Sequence, residues 1–136
     1  MKIDLAPNWN PTADDSWAGE GRPWLARIAV RTLNRIVIVA VSEIVHIDAE
    51  DNYVRIHADR AYLHRETLSG LVARLDPAHF LRVHRSHAIN VDRVRELQPL
   101  MHGEYRIVMS DGSALTSARS CRARIQAALG LLQEPG

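Results

Sequence analysis

Seven histidines, sixteen acidic residues and one cysteine are the side chains of this chain best suited to bond-making chemistry, and their spacing limits what they can do. Nucleophilic catalysis needs a nucleophile, a base and an orienting group within mutual reach. Ser86 stands between Arg85 and His87 without a Gly-x-Ser-x-Gly elbow, and no Gly-rich phosphate loop is present. No spacing ties the acids and histidines into a catalytic set, so the chain is not expected to be an enzyme. His84-x-x-His87 offers two imidazoles to a metal, with further ligands to come from His46, His57, His64 or a carboxylate. Residues i and i+3 of a strand point to opposite faces, and two ligands fall short of a zinc site. Neither a metal nor a cofactor is therefore expected.

The basic residues are better placed. All but Lys2 are arginine, whose planar fork pairs bidentately with a phosphate or a guanine edge. Arginine abundance alone identifies no partner, because a GC-rich coding sequence produces the same bias. Placement says more. Arg82, His84 and Arg85 cluster where a strand ends and a loop begins. Arg119, Arg122 and Arg124 cluster where a hairpin meets the last helix, and a helix start favours phosphate. Asn52, Tyr53 and Arg55 follow the polar stretch Asp48-Ala49-Glu50-Asp51. Three such loops on a rigid scaffold could span adjacent grooves of a duplex, with phosphate contacts supplying affinity and base contacts specificity. Ordinary solvated loops explain the same placement equally well.

The scaffold that positions these residues reads as mostly strands. The 136 residues suit one domain with spare sequence at its ends, and a 46% hydrophobic content allows a packed core. Residues 1–24 hold Pro7, Pro11, Pro23, Trp9, Trp17 and Trp24 without periodicity and read as a tail or linker, with Trp24 docking on the core. From there, Ile28 and Val30 alternate with arginines, and Ile36 to Val41 is an apolar run expected to form a buried strand. Ile44 to Ile47, Tyr53 to His57 and Tyr62 to Arg65 follow as strands.

Leu68, Leu71, Val72 and Leu75 stand at helical spacing, with Thr67 as N-cap and Asp76-Pro77 as the stop. Strands resume at Phe80–Val83, Ala88–Asn90, Val94–Leu97 and Tyr105–Met109, and Asp111-Gly112 turns a hairpin into Ala114–Thr116. A final helix is expected with Ser120 as cap and Cys121, Ile125, Ala128, Leu129 and Leu132 on one face. Cys121 then reads as a small core residue, and its solitude excludes an intrachain disulfide. Residues 133–136 form a short tail. The pattern is mainly β and antiparallel, with one short internal helix and a C-terminal helix. No apolar run approaches the roughly 20 residues of a membrane span, and no hydrophobic signal core opens the chain. A cytoplasmic setting without membrane contact is expected.

The net charge of +1 conceals an asymmetry: residues 1–24 sum to −2, whereas residues 25–130 carry 15 Arg against 11 acids.

Several segments together resemble the LytTR (LytR/AlgR) DNA-binding domains of bacterial response regulators. Glu43-Ile44-Val45-His46-Ile47-Asp48-Ala49-Glu50-Asp51-Asn52-Tyr53-Val54 is similar to the family's E-I-x-x-I-E-A-x-x-N-Y-V segment. Leu68 to Leu75, with Phe80-Leu81-Arg82-Val83-His84-Arg85-Ser86, resembles L-x-x-L-x-x-x-L followed by F-x-R-x-H-R-S. Ile89-Asn90-Val91-Asp92-Arg93-Val94 resembles I-V-N-L-D-x-I, shortened by one residue. Asp111-Gly112 with Leu115-Thr116-Ser117-Ala118-Arg119 matches D-G and L-x-x-S-R, Ala118 standing at the usual serine. The resemblance runs from Leu25 to Leu129.

It implies an elongated stack of antiparallel sheets whose loops, not a recognition helix, enter successive major grooves. Carried onto this chain, Arg85 and Arg119 become base or phosphate readers, with Asn52 and Tyr53 at a third contact region. Asn90 and Asp92 tie a turn to its own backbone. His84 supports Arg85, and His87 stands where the family often has an aromatic or apolar residue. The expected function is sequence-specific binding of double-stranded DNA in transcriptional regulation, as two copies on repeated half-sites. The alternative is a protein-interaction module on the same fold. The family often carries an upstream receiver domain, which residues 1–24 are too short to form. The expectation is a free-standing member, a piece of a longer regulator, or a chain controlled by a partner.

Overall fold

The computed structural model describes residues 24–131. Trp9, Trp17, the rest of the tail before Trp24, Leu132 and the last four residues lie outside the described residues.

The first two strands, β1 (Arg27–Arg31) and β2 (Ile36–Ala40), form a two-stranded antiparallel hairpin. Five more strands and one helix follow: β3 (His46–Glu50), β4 (Tyr53–His57), β5 (Ala61–His64), α1 (Leu68–Val72), β6 (Phe80–His84) and β7 (His87–Asn90). These strands build a five-stranded antiparallel sheet in the order β5-β4-β3-β7-β6. The last unit holds β8 (Val94–Pro99), β9 (Tyr105–Met109), β10 (Ala114–Thr116) and α2 (Arg122–Ala128), with β9 central in a three-stranded antiparallel sheet.

Alternation of side chains along the central strands gives the five-stranded sheet two working faces. Ile47, Val54, Ile56, Ala88 and Phe80 point to one face and pack with Ile28, Val30 and Val39 of the hairpin and Leu68, Leu71 and Leu75 of the helical segment. Val83 and Ile89 point to the other, where they meet Tyr105, Ile107, Met109, Leu115, Cys121 and Ile125. The molecule is thus a stack in which the central sheet is shared by two cores, and the expected mainly β, antiparallel architecture holds.

Local signals account for several joints. Thr67 Oγ1 accepts from Gly70 N–H at 3.0 Å, the N-cap expected from sequence. Gly112, at φ +89, closes the β9–β10 hairpin. Asn90 is buried, donates from Nδ2 to the Ile44 carbonyl at 2.9 Å and accepts at Oδ1 from Asp92 N–H at 3.0 Å. It is the structural turn residue the resemblance implied. Trp24 is half-buried and lines a cleft with Leu25, Val41 and Phe80.

Three expectations are corrected. The run Ile36–Val41 is not a buried strand: Ile36 and Ile38 are 49% and 59% exposed, because the hairpin covers the core with one face only. Ser120 is not the cap of the last helix. The chain makes a 3-10 turn over Arg119–Cys121 first, Cys121 takes the N-cap position, and no side chain caps it. That extra turn rotates the helix, so Gln126 is buried with Ile125 while Ala128 is exposed.

Candidate nucleic-acid interface

Two tight turns lie at one end of the central sheet because their strands are neighbours. Asp51-Asn52 joins β3 to β4, with Asp51 at φ +58, a left-handed conformation that short polar side chains tolerate. Arg85-Ser86 joins β6 to β7. Asp48 pairs with His87 across β3 and β7, and Ala49 N–H donates to the Ser86 carbonyl at 2.9 Å. The Arg119 segment arrives from the three-stranded sheet. Ala118 N–H donates to the Val83 carbonyl at 2.8 Å, which fixes Arg119 beside the end of β6.

The Arg85 turn is braced from within. Arg82 donates from Nη1 to Ser69 Oγ at 2.8 Å and from Nη2 to the Arg85 carbonyl. Ser86 N–H donates to His84 Nδ1 at 3.1 Å. An accepting Nδ1 must be unprotonated, which leaves the ring hydrogen on Nε2 as a donor. Burial, then the neighbouring His87 and Arg85 side chains, pushes the His84 pKa below its ordinary value and favours this neutral form.

His84 lies between two clefts. One is lined by Arg82, Arg85, Ser120, Cys121 and Arg124. The other is lined by His102, Glu104, Thr116, Ser117 and Arg119. The arrangement therefore brings Arg85, His84, Arg119 and Arg124 into one basic region. Among the described residues, no hydrogen bond or salt bridge engages the exposed guanidinium of Arg85 or that of Arg119. Both are available to an anion or a base edge.

Other sequence-predicted residues are placed differently. Arg122 lies over the Tyr105 ring, 4.9 Å from its centroid, and donates to the Gly103 carbonyl at 3.3 Å. Arg55 is held by Glu50, with Nε and Nη2 at 3.0 and 2.5 Å from Oε2. Asn52 is exposed at the tip of its turn. Tyr53, 37% exposed, lines a separate cleft with Arg35, Val37 and Leu63.

The family model described as the LytTr DNA-binding domain matches residues 34–130. The chain belongs to the LytTR family. LytTR relatives include the sensory transduction protein LytT of Bacillus subtilis, 31% identical over 110 residues, covering 80% of this chain and 44% of that protein. The transcriptional regulatory protein LytR of Staphylococcus aureus is 29% identical over 100 residues, covering 73% of this chain and 41% of its own. The chain thus spans less than half the length of these curated relatives. The solved LytTr DNA-binding domain of a Bacillus cereus protein superposes with a TM-score of 0.72 at 21% identity, covering 79% of this chain and 99% of that one. The LytTR assignment makes this a DNA-binding domain of the transcriptional-regulator kind. No helix among the described residues is long and apolar enough to cross a membrane.

Sequence reasoning missed one constellation near these turns. Asp48 accepts from His57 Nε2 at 2.9 Å and from His87 Nδ1 at 2.8 Å, with His46 Nδ1 at 3.4 Å. Burial alone would raise the Asp48 pKa, but the histidines around it outweigh burial and hold it far below the usual carboxylate range. The signal was available in the hairpin register, since a two-residue turn at Asp51-Asn52 sets His46 opposite His57. The case against His84 and His87 sharing a site also fails on geometry. They flank a turn instead of lying along one strand, and their rings are 5.0 Å apart.

Proposed function

We propose that this LytTR domain reads specific sequences in double-stranded DNA, with Arg85 and Arg119 entering the major groove from two turns. The observation that carries this reading is that both guanidiniums are exposed and unengaged among the described residues, on turns joined by the Ala118–Val83 hydrogen bond. A free arginine fork pays no cost of breaking an ion pair before meeting a guanine edge or a phosphate. His84 adds a neutral Nε2–H donor between them. Asn52 offers an amide at the tip of the third turn, and Tyr53 and Arg55 extend that region once Arg55 exchanges Glu50 for phosphate. Arg122 acts from behind, as a brace on the Tyr105 ring.

The reading extends to context. Residues 25–132 form the binding unit and residues 1–24 a tail. Two copies occupy repeated half-sites, in a cytoplasmic bacterial regulator of the two-component type whose receiver domain or regulatory partner supplies the signal. The activity is binding, without catalysis. Fluorescence anisotropy with duplexes chosen by in vitro selection tests the central claim. The expected result is tight binding to a defined motif that weakens steeply with salt; equal affinity for every duplex would remove the claim of specificity.

A second surface favours an additional protein contact. Leu33, Ile36 and Ile38 are exposed on the β1–β2 hairpin, on the side turned away from the core. Binding through that face would depend weakly on salt, which separates it from DNA binding.

A further inference from the structure

Three imidazoles surround one carboxylate on the central sheet. The β3–β4 register sets His46 opposite His57, and the β3–β7 register sets Asp48 opposite His87. His46 and His57 stack with ring centroids 4.0 Å apart. The donor atoms of His46, Asp48 and His57 all lie within 4.8 Å of one another. The His46 side chain is only 8% exposed, and its Nδ1 faces Asp48 at 3.4 Å. That nitrogen is buried and makes no hydrogen bond. A buried nitrogen held only by this long contact is uncommon and leaves room for a closer partner.

We propose that His46, Asp48 and His57 bind a divalent transition-metal ion of the zinc or cobalt type. Two imidazole nitrogens and one carboxylate oxygen are a donor set that suits such ions and disfavours calcium or magnesium. Around a tetrahedral ion with bonds of about 2.0–2.2 Å, ligand atoms stand about 3.3–3.5 Å apart. His46 Nδ1 stands 3.4 Å from Asp48 Oδ1 and His57 Nε2 stands 2.9 Å from Oδ2, so a small shift of the carboxylate brings one oxygen into range of both rings. An ion lies in the plane of each ring it binds, so loading turns the two stacked imidazoles about their Cβ–Cγ bonds.

Coordination replaces the N–H···O bond from His57 to Asp48: His57 binds through Nε2 as a neutral ring whose hydrogen has moved to Nδ1. His87 continues to donate to Asp48 Oδ1, the oxygen that also faces His46, and orients the carboxylate, the role a neighbouring hydrogen bond plays at many metal centres. Water completes the fourth position. The site adjoins the turn that carries Arg85, since His87 bonds to Asp48, but none of its three ligands is assigned to DNA, so it is tested without DNA.

The experiment titrates the chelator-treated full chain with Co2+, read by visible absorption, and with Zn2+, read by calorimetry. The expected result is one ion per chain, with a Co2+ ligand-field band abolished by one equivalent of Zn2+. His57→Gln should weaken binding at least about tenfold, and His46→Ala likewise. A paired change of the exposed His79 and His102 to Gln should leave affinity unchanged. Circular dichroism of the metal-free variants checks that each is folded; if His46→Ala unfolds, His57→Gln decides alone. Absence of one-to-one binding, or parental affinity in folded His57→Gln, overturns the proposal. Loss of binding in the His79/His102 variant overturns it as well.

Discussion

Ala118 donates its backbone N–H to the carbonyl of Val83 across 2.8 Å, and this bond joins the turn bearing Arg119 to the strand that ends at Arg85. The two arginines follow strands of different sheets that share one core. Their relative position therefore depends on how the three-stranded sheet docks against the central one, which this backbone bond and the packing of Val83 and Ile89 on Ile107, Cys121 and Ile125 together hold.

Arg85→Ala and Arg119→Ala should each cost about 1–3 kcal/mol of binding to the selected duplex and relax the base preference at one position. Competition anisotropy against single-base variants of the site measures both. An arginine whose loss weakens all sequences equally and flattens the salt slope is a phosphate contact instead.

Arg82→Met should disturb DNA binding indirectly. Arg82 spends its donors on Ser69 Oγ and on the Arg85 carbonyl, so removing it loosens the turn without removing a contact to DNA. Stability should fall by about 1–2 kcal/mol in urea titrations. The number of ions released on DNA binding should stay that of the parent, whereas Arg85→Ala should lower it if Arg85 meets phosphate.

Asn90→Leu should be the most destabilising of these changes, by about 2–4 kcal/mol, measured by denaturant unfolding. The side chain is buried and satisfies both the Ile44 carbonyl and the Asp92 N–H. Leucine leaves both without a partner. Thr67→Ala, which removes only a cap on α1, should cost about 1 kcal/mol and leave DNA affinity unchanged.

Asp48 should govern acid stability. Its folded-state pKa is depressed, so its contribution is fully present above the unfolded value of about 4 and is lost as pH falls below that value toward the folded one. In chelator, urea midpoints measured between pH 6 and pH 3 should decline with acid in the parent. Asp48→Asn should start lower and decline less steeply over that range. Parallel curves would show that the histidine cluster does not set acid sensitivity.

Much of the fold was legible in residues 25–131 because its determinants are local. Alternation at Tyr53–His57, the 3.6-residue period of Leu68–Leu75 with its Thr67 cap, and the Asp111-Gly112 turn each act over a few residues, and each appears as expected. The ordered LytTR motifs added the family and pointed to Arg85 and Arg119. What failed was whatever depended on a distant neighbour. An apolar run at Ile36–Val41 does not reveal whether one or both faces will be covered. Nor does an arginine-rich sequence distinguish exposed Arg85 and Arg119 from Arg82, Arg55 and Arg122, which are spent on a carbonyl, a carboxylate and a ring.

By itself, then, the sequence determined the strands, their turns, the family and the two arginines to test first, because those follow from periodicity, turn chemistry and motif order. Tertiary structure alone decided which cationic side chains are free and which are engaged. It also gathered His46, His57 and His87 around the Asp48 carboxylate from three strands. The physical reason is that sheet register brings together residues as far apart in the chain as Asp48 and His87, whose proximity no local pattern encodes.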